Sequence, residues 1–218
     1  MYQYLLFDLD GTLTDSQEGI TKCVQYALHC FGVEEPDLEK LKPFIGPPLI
    51  DSFMEFYGWT EDQARAGTQK YRERFEIRGM FENRVYGGIP KTLEVLREHG
   101  KHLVIASSKP EKYVKTILEH FDLRKYFLEV VGASMDEQRN SKAEVIREAF
   151  RRLGISEEKK SQALMIGDRR HDVEGAKLCG IDCLGVYYGF ADPGELEEAG
   201  ARYIVHTVAE MEELLLTI

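Results

Sequence analysis

The chain has 218 residues, of which 43% are hydrophobic and 11% aromatic. This apolar content excludes a disordered chain and is sufficient for a sizeable buried core. The 28 basic and 38 acidic residues give a formal net charge of −10, which argues against binding to nucleic acid polymers or anionic membranes, because both need a basic surface. The longest apolar runs are too short to cross a bilayer. We therefore predict a soluble globular protein.

The four cysteines do not form a metal-binding pattern. Six residues separate Cys23 from Cys30 and three separate Cys179 from Cys183, whereas zinc sites commonly use Cys-x2-Cys pairs. Buried thiols in a reducing compartment are the simpler interpretation. Residues 1–7 form a short strand-like run with no basic segment before it, so no signal peptide is predicted. We expect a cytoplasmic protein.

The first predicted strand covers residues 3–7, and a block without convincing strands follows it. Between residues 15 and 84 the apolar residues recur at helical spacing, in stripes at 20–31 and 49–57. Thr60 and Gln63 form a capping-box pattern before a third helix. An insertion after the first strand of an open α/β sheet lies above the carboxyl ends of the strands, where such sheets bind ligands. We therefore predict a helical cap domain at residues 15–84 and a core domain at residues 1–14 and 85–218.

Apolar strands alternate with helical patterns after residue 84. The predicted helices are residues 90–99, 110–121 and 141–153, and the further predicted strands are residues 102–106, 127–132, 163–167, 183–188 and 202–205. Strands and helices that alternate at these lengths are typical of right-handed βαβ units. The predicted fold class is therefore α/β, a Rossmann-like doubly wound parallel sheet with the all-helical cap domain inserted after strand 1.

The segment FDLDGTLTDS, residues 7–16, carries two aspartates directly after the first strand. Asp8 and Asp10 are two residues apart, so in an extended chain both side chains face one site. Gly11 permits a sharp turn, and the N–H groups of Gly11 and Thr12 are candidates for binding an anion. For the short pattern Asp-x-Asp-Gly alone, a turn with solvated acids is the simpler alternative. The full segment is less common by chance than this short pattern.

A second acidic segment, GDRRHD at residues 167–172, also follows an apolar strand. Asp168 and Asp172 are four residues apart and would share one face if a helix began there. Together with Asp8 and Asp10 they would repel one another in a buried crevice unless a cation neutralised them. Oxygen ligands without Cys or His favour a hard ion such as Mg²⁺. Taken singly, Asp168 also fits a helix N-cap and Asp172 a surface acid.

Ser107, Ser108 and Lys142 are candidates for binding phosphate. The two serines follow the predicted strand 102–106, where hydroxyl and N–H groups at a helix N-terminus suit a phosphate. A routine helix cap is the alternative for this segment. Lys142 begins a predicted helix, and at the strand ends its ammonium group would hold a phosphate and offset the acidic cluster.

The segments DLDGTLTDS, ASSKP, Lys142 and GDRRHD, in this order, resemble the four motifs of the haloacid dehalogenase superfamily. The chain is more narrowly similar to the phosphoglycolate phosphatase-like and 5′-nucleotidase-like members, which carry a helical cap after the first strand. The resemblance covers nearly the whole chain. It departs at Lys142, which lacks the following proline that many relatives have.

The resemblance implies roles for the acidic residues. Asp8 would be the nucleophile that forms an aspartyl-phosphate, and Asp10 would be the general acid and base. Mg²⁺ would bind Asp8, the backbone carbonyl group of Asp10 and Asp168, with Asp172 as a direct ligand or one that acts through water. Ser107 and Lys142 would hold the phosphoryl oxygens.

The implied function is that of a Mg²⁺-dependent phosphomonoesterase acting on a small phosphorylated metabolite. The protein is expected to be a monomer or a homodimer. The segment 42–49 resembles the specificity loop of capped relatives, although a plain connection between helices is the alternative. Lys42 and the N–H groups near Gly46 would suit the carboxylate of phosphoglycolate, whereas Phe44 would stack on the base of a nucleoside 5′-monophosphate. Lys109 and Arg169 are further candidate substrate contacts.

Two other functions stay open. A phosphosugar mutase would use the same nucleophile, acid and metal but return the phosphoryl group to a sugar. A non-catalytic binding protein on this fold would usually have lost the nucleophile or the acid, and this sequence has both. A phosphonate hydrolase needs a cap amine for a Schiff base, and no cap lysine stands out for that role.

Overall fold

A computed structural model of the protein describes residues 1–135 and 138–218. The chain divides into two units, residues 1–14 with 85–218 and residues 15–84. Both units are built around buried apolar residues, and each is described separately below. A function of the second unit as a cap stays a prediction.

The unit at residues 15–84 is mainly helical. It contains α1 (Gln17–Cys30), a 3₁₀ helix (Leu38–Phe44), α2 (Leu49–Tyr57) and α3 (Glu61–Arg74), followed by a π-helical turn (Phe75–Gly79). The capping box expected at Thr60 and Gln63 is present at the start of α3. The first part of the segment 42–49 belongs to the 3₁₀ helix rather than to a plain connection.

The strands of the described residues are β1 (Tyr4–Phe7), β2 (Thr14–Asp15), β3 (Arg84–Val85), β4 (His102–Pro110), β5 (Glu129–Ala133), β6 (Ala163–Gly167), β7 (Asp182–Val186) and β8 (Tyr203–Val205). Strands β2 and β3 form a two-stranded sheet, so the expectation of no strand between residues 15 and 84 is wrong at both ends of that range. The other strands form one sheet in the order β5-β4-β1-β6-β7-β8, with every pair parallel. This is the strand order of a Rossmann-like doubly wound sheet, so the predicted α/β class with a parallel sheet is confirmed.

Helices cover both faces of the large sheet. They are α4 (Ile89–Glu98), α5 (Glu111–His120), α6 (Lys142–Leu153), α7 (Arg170–Leu178), α8 (Glu195–Ala199) and α9 (Val208–Thr217). The chain moves from β1 to β5 in one direction along the sheet and from β6 to β8 in the other. Because the crossovers are right-handed, helices α4 and α5 lie on one face, and α6 and α7 lie on the other.

The core on the α6 and α7 face is built from alternate residues of the central strands. Leu6, Val104 and Met165 from β1, β4 and β6 pack against Ile146 of α6 and Val173 of α7. All five side chains are at most 1% exposed. The alternation of apolar side chains along the strands therefore supplies one core layer for each face of the sheet.

The predicted element boundaries are close to those of the structure except after β4. This strand continues to Pro110, with a register shift between Ala106 and Pro110, and α5 begins at Glu111. Ser107 is therefore part of an extended segment. The expectation that it lies at a helix N-terminus is wrong. Among the described residues, no helix has the length and apolar character needed to cross a membrane.

The cysteine prediction needs one correction. Cys23, Cys179 and Cys183 are buried free thiols, as expected. Cys30 is exposed, because it is the last residue of α1 and lies outside the buried stripe of that helix.

Replacing Ile146 by Ala should destabilise the protein by about 2–5 kcal/mol, because the substitution leaves a cavity between α6 and the sheet. Urea unfolding measures this change. Arg151→Ala on the same helix is the matched control, because the Arg151 side chain is 72% exposed and its loss should change stability by no more than about 0.5 kcal/mol. Equal unfolding midpoints for the two variants would contradict the described packing of α6.

Candidate active site

The carboxyl ends of β1, β4 and β6 meet at one edge of the sheet. Phe7, the last residue of β1, is level with Ile105 of β4 and Ile166 of β6. Asp8 follows β1, and its N–H group donates to the carbonyl oxygen of Ile166. Asp168 follows β6 directly. Both aspartates therefore lie at the carboxyl edge of the sheet, between β1 and β6. The order in which strands are added reverses at this point, which is the usual ligand site of such sheets.

Asp8, Asp168 and Asp172 form a buried carboxylate cluster. One carboxylate oxygen from each lies within 4.8 Å of the other two, and the residues are 7%, 0% and 1% exposed. Asp168 precedes α7, and Arg169 is the N-cap residue, so the alternative of an Asp168 helix cap is not observed. Asp172 is in the first turn of α7 and accepts a hydrogen bond from the N–H group of Arg169. Its burial contradicts the alternative of a surface acid.

Two glycines make room for this carboxylate cluster. Gly11 has φ +77°, and a Cβ atom there would lie 2.0 Å from Asp168 Oδ2. A Cβ atom on Gly167 would lie 2.1 Å from Asp172 Cγ. Any side chain at either position would displace a carboxylate, so the backbone at these two sites is part of the cluster's geometry.

Lys142 lies between two of the carboxylates. Its Nζ atom is 3.0 Å from Asp8 Oδ1 and 2.7 Å from Asp172 Oδ1, and it donates to the carbonyl oxygen of Ala106 at 3.0 Å. A capping box formed by Ser141 and Glu144 begins helix α6 and fixes the backbone at this residue. Lys142 is 5% exposed, so its ammonium group is surrounded by protein atoms of opposite charge or polarity.

The titration properties of the cluster follow from burial and mutual repulsion. Burial raises the pKa of Asp168 well above its usual value, and the carboxylates of Asp172 and Asp8 raise this pKa further. Burial also raises the pKa of Asp172 to about 6, against the opposing effect of the Lys142 ammonium group. For Lys142 itself, burial lowers the pKa, but the carboxylates of Asp172 and Asp8 outweigh burial and raise it.

The donor atoms of this cluster fit a hard divalent cation. Asp168 Oδ2 accepts a hydrogen bond from the N–H group of Phe190 at 2.8 Å, whereas the buried Asp168 Oδ1 has no hydrogen-bond partner within the described part of the chain. Three ionised carboxylates exceed the single positive charge of Lys142 by two negative charges. Carboxylate oxygens in this arrangement suit Mg²⁺ better than softer metals.

Asp10 is not one of the three residues of the carboxylate cluster, and it pairs with Lys109. The distance from Asp10 Oδ2 to Lys109 Nζ is 2.9 Å. The sequence also predicts Lys109 as a substrate contact, and that role stays a prediction.

The N–H groups of Gly11 and Thr12 are not available for an anion as predicted. The N–H group of Gly11 donates to the carbonyl oxygen of Thr14 at 2.8 Å, and that of Thr12 donates to the carbonyl oxygen of Leu9 at 3.3 Å. Both are therefore used to close the turn after Asp10. The hydroxyl group of Tyr188 donates to the carbonyl oxygen of Thr12 and holds the same turn from the β7 side.

The serines at the end of β4 differ in accessibility. Ser107 is 1% exposed, and its Oγ accepts a hydrogen bond from the N–H group of Lys109. Ser108 is half-buried. A phosphate contact through either hydroxyl group stays a prediction.

The candidate substrate residues of the helical unit have differing environments. Lys42 pairs with Glu39 and has a 40% exposed side chain, and Gly46 has φ +108° at the end of the 3₁₀ segment. Phe44 is 2% exposed and packs on Phe53 and Phe56. The expectation that Phe44 stacks on a base is therefore not supported, because its ring belongs to the aromatic core of its own unit.

Arg169 is engaged with a residue that the sequence analysis did not select. Its Nε atom donates to Glu195 Oε1 at 2.9 Å, and the N–H group of Arg170 donates to the same oxygen. Glu195 belongs to an acidic run that is typical of a solvated helix face, but its side chain is only 10% exposed. No local sequence signal marks this contact, because Glu195 and Arg169 are brought together only by the packing of α8 near the start of α7.

Comparisons with known proteins identify the family of the chain and several relatives. The family model described as haloacid dehalogenase-like hydrolase matches residues 5–186. A 5′-nucleotidase from Pseudomonas aeruginosa is 44% identical over 98% of this chain and 96% of its own length. The crystal structure of a predicted phosphatase from Clostridium acetobutylicum has a TM-score of 0.96 and 48% identity, and the match covers 100% of both chains.

More distant relatives have other names. The tyrosine-protein kinase PtkA from Mycobacterium tuberculosis is 34% identical over 98% of this chain and 72% of its own length. Phosphoglycolate phosphatase 1 from Pseudomonas aeruginosa is 27% identical over 95% of this chain and 77% of its own length. The predicted similarity to both nucleotidase-like and phosphoglycolate phosphatase-like proteins is confirmed. The chain belongs to the haloacid dehalogenase-like hydrolase family.

Proposed function

We propose that this hydrolase is a Mg²⁺-dependent phosphomonoesterase that acts through an aspartyl-phosphate on Asp8. The observation that supports this proposal is the cluster of Asp8, Asp168 and Asp172 at the sheet edge, with the Lys142 ammonium group between two of the carboxylates. A phosphate dianion cannot approach a carboxylate nucleophile unless positive charge cancels the repulsion. This site provides one such charge directly and an oxygen donor set for a cation that provides the rest.

In the proposed first step, a carboxylate oxygen of Asp8 attacks phosphorus and the bond from phosphorus to the ester oxygen breaks. The protonated carboxyl group of Asp10 gives its proton to the leaving oxygen, which departs as an alcohol. The position of Asp10 two residues after the nucleophile suits this task, because the turn at Gly11 and Thr14 keeps both acids on one short segment.

In the second step, the Asp10 carboxylate takes a proton from a water molecule that attacks the phosphorus of the aspartyl-phosphate. The bond between the Asp8 oxygen and phosphorus breaks, phosphate leaves, and the Asp8 carboxylate is restored. Lys142 keeps its proton throughout and stabilises the negative charge on Asp8 and on the phosphoryl group. Asp8, Asp168 and Asp172, with the Asp10 carbonyl group, would hold Mg²⁺, which supplies Lewis-acid stabilisation of phosphoryl charge.

A nucleoside 5′-monophosphate is the favoured substrate class. The relative at 44% identity is named a 5′-nucleotidase, and the match covers almost the whole of both chains, whereas the phosphoglycolate phosphatase is 27% identical. The buried position of Phe44 assigns any recognition of the base to other residues.

Asp8→Asn should lower the hydrolysis of adenosine 5′-monophosphate by about 10³-fold or more, because the nucleophile is lost. Asp10→Asn should lower it by about 10²–10⁴-fold, the usual contribution of a general acid or base. Phosphate release measures both changes, and far-ultraviolet circular dichroism checks that the fold is intact. Asp122→Asn is the control, because this exposed aspartate has φ 55°, a conformation that asparagine tolerates. Undiminished turnover in either active-site variant would refute the mechanism.

The aspartyl-phosphate should also be directly detectable. With p-nitrophenyl phosphate, whose leaving group departs readily without a proton, Asp10→Asn should form the intermediate and then hydrolyse it slowly. Mass spectrometry of acid-quenched samples should show a phosphoryl group on Asp8 in this variant. A phosphoryl group attached to the Asp8→Asn variant would show that another residue is the nucleophile.

Asp168→Asn should raise the melting temperature of the protein in EDTA and reduce the stabilisation by added Mg²⁺. The folded-state pKa of Asp168 lies above its unfolded value, so at neutral pH this acid makes the metal-free fold less stable. The penalty shrinks as the pH falls from the raised pKa and is gone only below the unfolded pKa. We expect a gain of about 1 kcal/mol, or roughly 2–4 °C for this chain length. Thermal unfolding with EDTA and with Mg²⁺ tests both effects. Equal Mg²⁺-induced shifts in the parent and the variant would exclude Asp168 as a ligand.

A substrate panel should give the highest kcat/KM for a nucleoside 5′-monophosphate. The panel includes adenosine 5′-monophosphate, phosphoglycolate, a hexose phosphate, and ATP with a tyrosine peptide, since one relative is named a tyrosine-protein kinase. Formation of a hexose phosphate isomer without free phosphate would favour the mutase. Absence of turnover on every compound, with and without Mg²⁺, would favour a non-catalytic binding protein.

A further inference from the structure

The ion pair between Lys109 and Asp10 has no part in the chemistry proposed above. The two side chains are only 7% and 11% exposed, and Nζ lies 2.9 Å from Oδ2. A nearby lysine shows the usual arrangement: Lys115 pairs with Glu111 along the surface of α5, and its side chain is 46% exposed. A long side chain held on a buried carboxylate loses more rotamer freedom than a surface one. The burial of the Lys109 side chain against Asp10 therefore needs a structural explanation.

The backbone of Lys109 is held by neighbouring groups. Its N–H group donates to Ser107 Oγ at 3.2 Å. Its carbonyl oxygen lies against Gly132 of β5, where a Cβ atom would be only 2.5 Å away. The extended segment after Ala106, with its register shift, thus carries the lysine past the end of the regular β1–β4 pairing. The ammonium group is consequently presented to Asp10 from a fixed strand rather than from a mobile loop.

We propose that Lys109 is a positioning residue, which holds Asp10 Oδ2 so that Oδ1 is the oxygen that exchanges the proton. Asp10 Oδ1 is buried and has no hydrogen-bond partner among residues 1–135 and 138–218. Lys109 neither gives nor takes a proton in either step. This inference rests on the proposed role of Asp10 as general acid, and it assigns Lys109 a different function from direct contact with the substrate.

The leaving group distinguishes these two functions. An alcohol such as the ribose of adenosine 5′-monophosphate must be protonated as it leaves, whereas p-nitrophenolate departs without a proton. A residue that orients the general acid therefore matters most for the nucleotide. A residue that binds the phosphoryl group, or one that only stabilises the fold, affects both esters alike. The ratio kcat/KM is the correct measure, because it excludes the later hydrolysis of the intermediate that both esters share.

The test compares kcat/KM for adenosine 5′-monophosphate and p-nitrophenyl phosphate in the Mg²⁺-loaded enzyme. Lys109→Met should lose up to about 10²-fold with the nucleotide, the scale expected for a misplaced catalytic group. The loss should be at least about tenfold smaller with p-nitrophenyl phosphate. Lys109→Arg should recover part of the loss, because it restores a cation beside Asp10. Lys115→Met is the matched control and should leave both values unchanged.

The outcomes separate this inference from the proposed function. If Asp10→Asn discriminates between the two esters and Lys109→Met does not, the positioning role is refuted and the general acid stands. If Asp10→Asn itself shows no discrimination, the general-acid assignment fails and the inference fails with it. A rise in KM for both esters in Lys109→Met, with kcat unchanged, would instead identify Lys109 as a substrate contact. Should Lys109→Met not fold, the same discrimination in Lys109→Gln decides the question.

Discussion

The site depends on the placement of one ammonium group between carboxylates that would otherwise repel each other. Asp8 and Asp172 are both close to Lys142 Nζ, and neither has enough water around it to be stabilised by solvent. Without Lys142, the cost of burying these charges would act against folding in every state of the enzyme. Lys142 reduces this cost but does not remove it, because Asp168 adds a further negative charge with no ammonium partner among the described groups. The remaining imbalance is the charge that the proposed divalent cation would neutralise.

The fold determines where this imbalance arises. The parallel strands β1 and β6 end side by side, and the chain leaves them in opposite directions. Each strand end is followed by a short segment whose backbone makes room for a carboxylate, through Gly11 after β1 and Gly167 at the end of β6. Helices α6 and α7, which lie on one face of the sheet, add Lys142 and Asp172. The free energy gained by burying the apolar layers thus offsets the cost of burying these charges, a balance common at functional sites.

Much of this arrangement could be predicted from the sequence because it depends on periodicity and on strand ends. Apolar runs followed by Asp8 and Asp168 predict two acids at one edge of a parallel sheet, and the structure brings them together. Other features depend on details that periodicity does not encode. The Pro110 signal predicts a helix start, and α5 does begin at Glu111. It does not reveal that β4 continues through residues 107–110, where a register shift brings Pro110 level with Ala133 of β5. The error at Phe44 has a similar cause, since a Pro- and Gly-rich segment does not reveal which aromatic ring is buried.

The two lysines of the site reach it by different structural routes, and this difference matters for the chemistry. Lys142 stands at the first turn of α6, where the capping box fixes the backbone, and it contacts Asp8 and Asp172, which exchange no proton in the proposed mechanism. Lys109 comes from an extended strand and contacts Asp10, the proposed general acid. In the proposed mechanism Lys142 therefore faces carboxyl groups that exchange no proton, whereas Lys109 faces the one that does and must contact Asp10 both before and after the proton leaves.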